Sequence, residues 1–328
     1  MQAIIKTIDF SVPKKRVSND ELAATLDTSD EWIFSHTGIK NRHIAAPDQA
    51  TSDLAFDACT KVLHASKFPA EKLDLVLMAT ITGDFIGFPA TASIVQDRLG
   101  AKNAAAMDMQ AGCTGFIYAL ETARAFIAGG GAKNVLVVGA DMMSRIVDWK
   151  DRDTCVLFGD GAGAALVCGE DSKEERGILL SFLRSDGSGA RLLERTYGGT
   201  RFPRAPESAG KNGSCIKMDG RQVYNFAVKV ISEGILNMLA AKGYGIKDLS
   251  YIVPHQANAR IIEAAAKRSK IPLDKFYMNI DEYANTSAAT IPIALSEMEK
   301  KGLLERGDLI LTYGFGAGLT YGGNLIRW

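Results

Sequence analysis

Asp108-Met-Gln-Ala-Gly-Cys113-Thr-Gly-Phe116 is the stretch whose reading decides the fold. Just before it, Ala104-Ala-Ala-Met-Asp-Met109 is short and mostly apolar, and fits a buried strand. After it, Phe116, Ile117, Leu120, Ala123, Phe126 and Ile127 recur at helical spacing until Gly129-Gly-Gly131 stops them. The expectation is a strand, a tight turn and a helix, with Cys113 in the turn. A thiol there stands clear of the backbone and faces the positive end of a helix dipole, which favours the thiolate. The competing reading is a small buried hydrophobe, the commoner fate of a lone cysteine near a helix start.

Working outward, the 328 residues are 47% hydrophobic, enough for a large core. Lys+Arg and Asp+Glu both number 38, so no basic excess points to nucleic acid. Cysteines 59, 113, 155, 168 and 215 form no Cys-x-x-Cys pair, which argues against a zinc site or a disulfide framework and for a reducing compartment. Histidines 36, 43, 64 and 255 have no metal-type spacing. The apolar run at the N-terminus is too short for a secretory signal, and no stretch nears the ~20 apolar residues of a membrane span. A soluble cytoplasmic protein is expected.

In chain order, 3–8 reads as a strand. Ser18 or Asn19, then Ser29 or Asp30, cap two helix starts, and Thr51 to Ala65 is an amphipathic helix. Buried strands are expected at Leu73–Ala79 and Asn134–Gly139, a helix around Ile94, Val95 and Leu99, long loops with a strand or two over 184–221, and a helix from Val223 to Leu239. The last third echoes the first. Leu249–Pro254 resembles the strand at 73, and Asp308–Gly314 resembles the strand at 134, both about 175 residues on. Between each pair lies a strand, a turn and a helix rich in small residues, Ala104–Ala128 and Phe276–Lys301. This order predicts a duplicated α/β unit, with residues 1–172 carrying the cysteine and 173–328 its counterpart, which falls near Tyr283–Ala289.

Val253-Pro-His255-Gln-Ala-Asn258 follows a strand and Glu282-Tyr-Ala-Asn285-Thr-Ser-Ala-Ala289 precedes a helix, at the kind of strand end where α/β ligands gather. Taken singly, His255 reads as a structural histidine and Asn285 as a helix cap; with Cys113 they form a possible convergent set. Ala111-Gly-Cys113-Thr-Gly-Phe, Pro254-His255-Gln-Ala-Asn258 and Ala284-Asn285-Thr-Ser-Ala-Ala289 together resemble the 3-oxoacyl-[acyl-carrier-protein] synthase III family. Asp27-Thr-Ser-Asp-Glu-Trp32-Ile, Phe158-Gly-Asp-Gly-Ala-Gly163 and Gly314-Phe-Gly-Ala-Gly318 extend the similarity from near the start to Trp328. Thiolases pair the Cys with a second Cys, and 3-hydroxy-3-methylglutaryl-CoA synthases use a Glu, so the Cys-His-Asn set is specific.

The resemblance implies a thiolase fold, two pseudo-symmetric halves in a five-layered α-β-α-β-α body, and a homodimer. It implies an acyl-CoA donor, malonyl-acyl carrier protein as acceptor, and no metal or redox cofactor. Cys113 would carry the acyl group, the amides of Cys113, Gly316 and Ala317 would hold the oxyanion, and His255 and Asn285 would donate to the enolate. Neutral His255 would need Nε2 protonated for that. By the same resemblance Trp32, Arg152 and Asn258 contact CoA. Phe88, Met143, Leu157 and Phe315 line the acyl pocket, with Phe88 reaching across the dimer. Gln256, Arg260, Lys267 and Arg268 meet the carrier protein. His36 and Asn225 stand where the family commonly has basic residues, Ala317 replaces a glycine, and the segment from Tyr197 to Gly213 is longer than in many members. Alternatives are a related acyltransferase of secondary metabolism and, from Gly159-Asp-Gly-Ala-Gly163, a nucleotide-binding oxidoreductase, whose fingerprint is incomplete.

Overall fold

Alternating burial builds the first sheet. Leu75, Leu77 and Ala79 enter one hydrophobic core, while Val76 and Met78 enter another. Val135 and Val137 split from Leu136 and Val138 in the same way, so the sheet is covered on both faces.

A computed structural model describes residues 1–209 and 213–328. Gly210, Lys211 and Asn212, within the Tyr197–Gly213 stretch expected to be longer than in many members, lie outside the described residues. The strands are β1 (Gln2–Ser11), β2 (Lys15–Ser18), β3 (Asn41–Ile44), β4 (Leu75–Ala79), β5 (Ala105–Met109), β6 (Asn134–Met142), β7 (Asp160–Glu170), β8 (Gly177–Ser185), β9 (Leu193–Arg195), β10 (Ile216–Met218), β11 (Tyr251–Pro254), β12 (Leu309–Gly316) and β13 (Thr320–Arg327). The helices are α1 (Asn19–Ala23), α2 (Asp30–Thr37), α3 (Thr51–Ser66), α4 (Thr91–Arg98), α5 (Gly115–Ala128), α6 (Arg152–Cys155), α7 (Gly220–Ala241), α8 (Ala259–Ser269), α9 (Ile280–Tyr283) and α10 (Thr290–Lys300). Ser18 caps α1 in a reciprocal box with Glu21, and Ser29 caps α2 by accepting from the Trp32 amide.

The first sheet runs β1-β7-β6-β4-β5, and the second runs β8-β13-β12-β11. Parallel and antiparallel pairings match position by position. The place of β5 in the second sheet is taken by a single bridge, Phe276 to Ile252. The strand expected after Phe276 is thus reduced to one rung, because α9 begins at Ile280 and leaves no length for more.

Three helical layers enclose the two sheets. α5 and α10 fill the centre: Phe116, Ile117 and Leu120 share a core with Ile291, Ala294 and Leu295 and with residues of both sheets. α3 and α4 cover the outer face of the first sheet, and α7 and α8 that of the second. The result is the expected α-β-α-β-α stack.

Two expectations fail locally. β5 is an edge strand, paired only with β4, and each of its residues is exposed or half-buried, with Met107 36% exposed. Phe126 keeps the helical spacing yet is 38% exposed, because it lies on the rim of α5 rather than on its core stripe.

Candidate active site

Two short turns, each leading directly into a central helix, meet in the middle of the molecule. Gly112–Thr114 precedes α5 and Ser287–Ala289 precedes α10. Both open on a residue with positive φ, Gly112 at 55° and Ser287 at 53°. Their alignment makes Ala288, not Asn285, the counterpart of Cys113; the site's polar residue stands just upstream of the symmetric position. Each turn rests on the other half's strand. A β-carbon on Gly139 of β6 would lie 2.3 Å from the Ala288 carbonyl oxygen, and one on Gly316 of β12 would lie 2.6 Å from the Cys113 nitrogen. The hydroxyls of Thr114 and Thr320 stand 2.8 Å apart and reach the Ala111 carbonyl at 2.7 and 2.9 Å, tying the cysteine turn to β13.

Cys113 is buried, and burial pushes its thiol up to about 12. Ser287 opposes the shift and the buried Asp141 adds to it. The Ser287 hydroxyl lies close enough to matter electrostatically, though it meets no partner at full hydrogen-bond geometry. Burial thus works against the thiolate that the helix dipole at the start of α5 favours. Ala317 is not among the residues with positive φ, so the methyl at this glycine-rich turn carries no backbone strain.

His255 follows β11, and its amide donates to the Tyr313 carbonyl at 2.8 Å. Its ring is 5.6 Å from that of Phe315, edge to face, and its Nδ1 is 2.7 Å from Thr290 Oγ1. Burial lowers its pKa to about 3, so the imidazole is neutral. The Asn285 amide donates to the Leu157 carbonyl at 2.9 Å, and its own carbonyl accepts from Gly159 N–H at 3.1 Å. Asn285 Oδ1 accepts from the Ser287 amide at 2.9 Å, as in an Asx turn. With Oδ1 engaged, the side chain offers its Nδ2 donors.

Cys113, His255 and Asn285 line one cavity of about 230 Å³, whose wall also includes Trp32 and Asn258. Cys113 also opens on a second cavity of about 560 Å³, lined by Met143, Phe85 and Ile86. The four residues expected around the acyl chain are divided by this arrangement. Met143 faces the second cavity, Leu157 and Phe315 the first, and Phe88 lines neither, being 87% exposed.

At the Trp32 end, His36 stacks on the indole with centroids 4.4 Å apart, and the Arg152 guanidinium lies 4.9 Å from the ring. Arg152 also donates to the Asp27 carbonyl at 2.7 Å. Asn258 caps α8 by accepting from the Arg260 amide at 2.8 Å and donates to the His36 carbonyl at 3.2 Å. On α8, Lys267 and Arg268 are exposed, with Arg268 2.9 Å from Glu233, while Arg260 chelates Glu263 at 2.7 Å. Asn225 is exposed on the neighbouring α7. Gln256 is a correction: it is 1% exposed, donates to the Pro254 and Tyr277 carbonyls and accepts from the Asn279 amide, so it braces the loop and cannot reach a docked protein.

Sequence reasoning missed Thr290, Thr320 and Asp141. Asp141 is buried and accepts from the hydroxyls of Thr80 and Thr82 and from the amides of Ile81 and Ala288, joining the second cavity's loop to the turn after Asn285. A buried acid at a strand end was the only available signal for it. Among the described residues, no cluster of three or more His, Cys, Asp or Glu could hold a metal ion, and no helix is long and apolar enough to cross a membrane.

Residues 107–187 match the family described as 3-oxoacyl-[acyl-carrier-protein (ACP)] synthase III, and residues 239–328 match its C-terminal family. The beta-ketoacyl-[acyl-carrier-protein] synthase III of Caldanaerobacter subterraneus subsp. tengcongensis is 50% identical over 97% of this chain and 95% of its own. The crystal structure of 3-oxoacyl-[acyl-carrier-protein] synthase III from Aquifex aeolicus VF5 superposes with a TM-score of 0.91 at 42% identity, covering 99% of this chain and 100% of the other. The priming beta-ketosynthase of the R1128 polyketide biosynthetic pathway superposes with a TM-score of 0.89 at 32% identity, covering 99% and 95%.

Proposed function

The chain belongs to the 3-oxoacyl-[acyl-carrier-protein] synthase III family, and on that premise we propose that it condenses an acyl-CoA with malonyl-acyl carrier protein to open type II fatty-acid synthesis. Acetyl-CoA is the base case for the donor. The observation that carries this reading is the single cavity shared by Cys113, His255, Asn285 and, on its outer wall, Trp32. A thiol, two donors that stay neutral and an aromatic platform suit a thioester whose carrier arm enters from the surface.

In this reading the Cys113 sulfur adds to the acyl-CoA carbonyl, and the oxyanion is held by amides of Cys113 and of the Gly316–Ala317 turn. The C–S bond to CoA breaks, CoA leaves as its thiol with the proton from Cys113, and the acyl group stays on the enzyme. Malonyl-carrier protein then loses CO2, and the electron pair of that C–C bond becomes a thioester enolate. His255 Nε2–H and Asn285 Nδ2–H donate to its oxygen. The enolate carbon attacks the acyl carbonyl, the bond to Cys113 breaks, and the sulfur recovers a proton. The steps balance with the two thioesters and one proton from water, which returns to the Cys113 sulfur, so the reaction calls for no cofactor.

Trp32, Arg152 and Asn258 are assigned to CoA, and Arg260, Lys267 and Arg268 to the acidic carrier protein. Met143 and Phe88 are assigned to the acyl end, Leu157 and Phe315 to the neck beside His255. We assign the halves to 1–172 and 173–328, and the enzyme to the cytoplasm. A homodimer fits the unpaired β5 edge and the exposed Phe85, Ile86 and Phe88 beside it, which a second copy would bury. Likeness to a polyketide priming enzyme favours one second reading, the same acylation with a pathway-specific acceptor. Incubation with acetyl-CoA and malonyl-carrier protein tests both. Release of CO2 with formation of acetoacetyl-carrier protein is expected, and an acetylated enzyme that releases none would sink the main reading.

A further inference from the structure

The Thr290 hydroxyl has one proton and two acceptors within reach, and the choice between them decides what His255 can do. Its oxygen is 2.7 Å from His255 Nδ1 and 3.2 Å from the Ser287 carbonyl oxygen. If the proton went to Ser287, Nδ1 would have to carry the ring proton and donate to Thr290, and Nε2 would present a lone pair. If the proton goes to Nδ1, the neutral ring must carry its proton on Nε2. Hydroxyl hydrogen bonds cluster near 2.7–2.8 Å and thin out beyond about 3.0 Å, so the first contact is well made and the second is slack. Thr290 sits in the first turn of α10, 3% exposed, and the Phe315 ring 5.6 Å away holds the imidazole against rotation.

We propose that Thr290 is a positioning residue that fixes the tautomer of His255, making its Nε2 a standing hydrogen-bond donor rather than a base. The proposal rests on the reading of His255 as a donor to the enolate and adds what keeps it one. A consequence is that the resting imidazole does not take the thiol's proton. Acylation and decarboxylation then depend differently on this contact, and Thr290→Val, which keeps the shape and removes the hydroxyl, separates them.

The protein labelled with 15N-histidine reports the tautomer directly, with His255→Gln identifying the signals. The expected spectrum has a protonated Nε2 and a bare Nδ1; a protonated Nδ1 in the wild type overturns the proposal. In Thr290→Val, acyl loading of Cys113 is expected to persist while malonyl decarboxylation falls about tenfold, the worth of one buried hydrogen bond. Thr290→Ser restores it. Decarboxylation at the wild-type rate in Thr290→Val also overturns the proposal. Should Thr290→Val fail to fold, the wild-type spectrum still decides. A wild type that never decarboxylates malonyl-carrier protein would defeat the functional reading, and the spectrum would still judge the tautomer.

Discussion

Gly316→Ala tests the way the two halves close on the nucleophile. The new β-carbon would stand 2.6 Å from the Cys113 nitrogen and 3.2 Å from its Cα and Cβ. Unbonded heavy atoms settle at about 3.5 Å, so the turn and β12 must part by roughly 0.9 Å. The cysteine turn cannot yield alone, because Thr114 and Thr320 hold it to β13. A misplacement of about 1 Å costs about 10²-fold in rate, and overpacking of this kind costs about 1–3 kcal/mol of stability. Rapid-quench mass spectrometry of Cys113 acylation by acetyl-CoA gives the first number, and urea unfolding gives the second. Unchanged stability would refute the packing argument. Lowered stability with wild-type acylation would refute the placing of the Gly316 amide at the reacting oxygen. Ala317→Gly is the control, expected near wild type in acylation and lower in stability by no more than about 1 kcal/mol, because Ala317 carries no positive φ for glycine to relieve.

Other outcomes follow from single residues. The folded value of His255, about 3, lies below the unfolded value of about 6.5, so the unfolded chain alone binds this proton between them. Its contribution is whole above pH 6.5 and falls by about 1.4 kcal/mol per unit as the pH drops through that window. Urea unfolding at pH 6.5 and 5.0 should show the wild type losing about 2 kcal/mol more than His255→Gln; equal losses would count against a neutral His255. Ala284 has φ 55° and ψ −158°, a region suited to glycine. Ala284→Gly should therefore cost less than about 0.5 kcal/mol in melting analysis despite deleting a buried methyl, since relief of backbone strain offsets it. Phe88→Ala should shift acyl-CoA chain-length preference without weakening carrier-protein binding; an unchanged preference in a panel of acyl-CoAs removes Phe88 from the acyl end. Lys267→Glu with Arg268→Glu should raise KM for malonyl-carrier protein about tenfold and leave that for acetyl-CoA alone, as befits exposed charges facing an acidic partner.

The strand-turn-helix around Cys113 was legible because its pattern is local, and the repeat at about 175 residues was legible because element order survives when sequence does not. What escaped was set by distant chain. Arg42 is wholly buried in a polar stretch: its two terminal nitrogens reach Asn19 Oδ1 at 2.8 Å and the Val156 and Val17 carbonyls at 3.2 and 3.3 Å, while Nε meets no partner. Gln256 resembles a surface contact by motif and turns out to hold a loop from inside. The surroundings of Cys113 escaped for the same reason: the helix dipole is visible in nearby residues, whereas β12 and the Ser287–Ala289 turn, which pack on the cysteine turn, lie far along the chain. The reduction of Phe276's strand to one rung needed the position of α9, which pattern alone did not bound.

Thr114 and Thr320, which fasten the cysteine turn, are 206 positions apart. A ribosome adding about 5–20 residues per second exposes Cys113 for roughly 10 to 40 s before its final strand exists. Throughout that interval the nascent chain carries an ordinary cysteine, without the Gly316 wall and first without His255 and Asn285. Acyl transfer is thus licensed by completion of synthesis: a chain cut short before β13 keeps its cysteine and lacks the site that puts it to use.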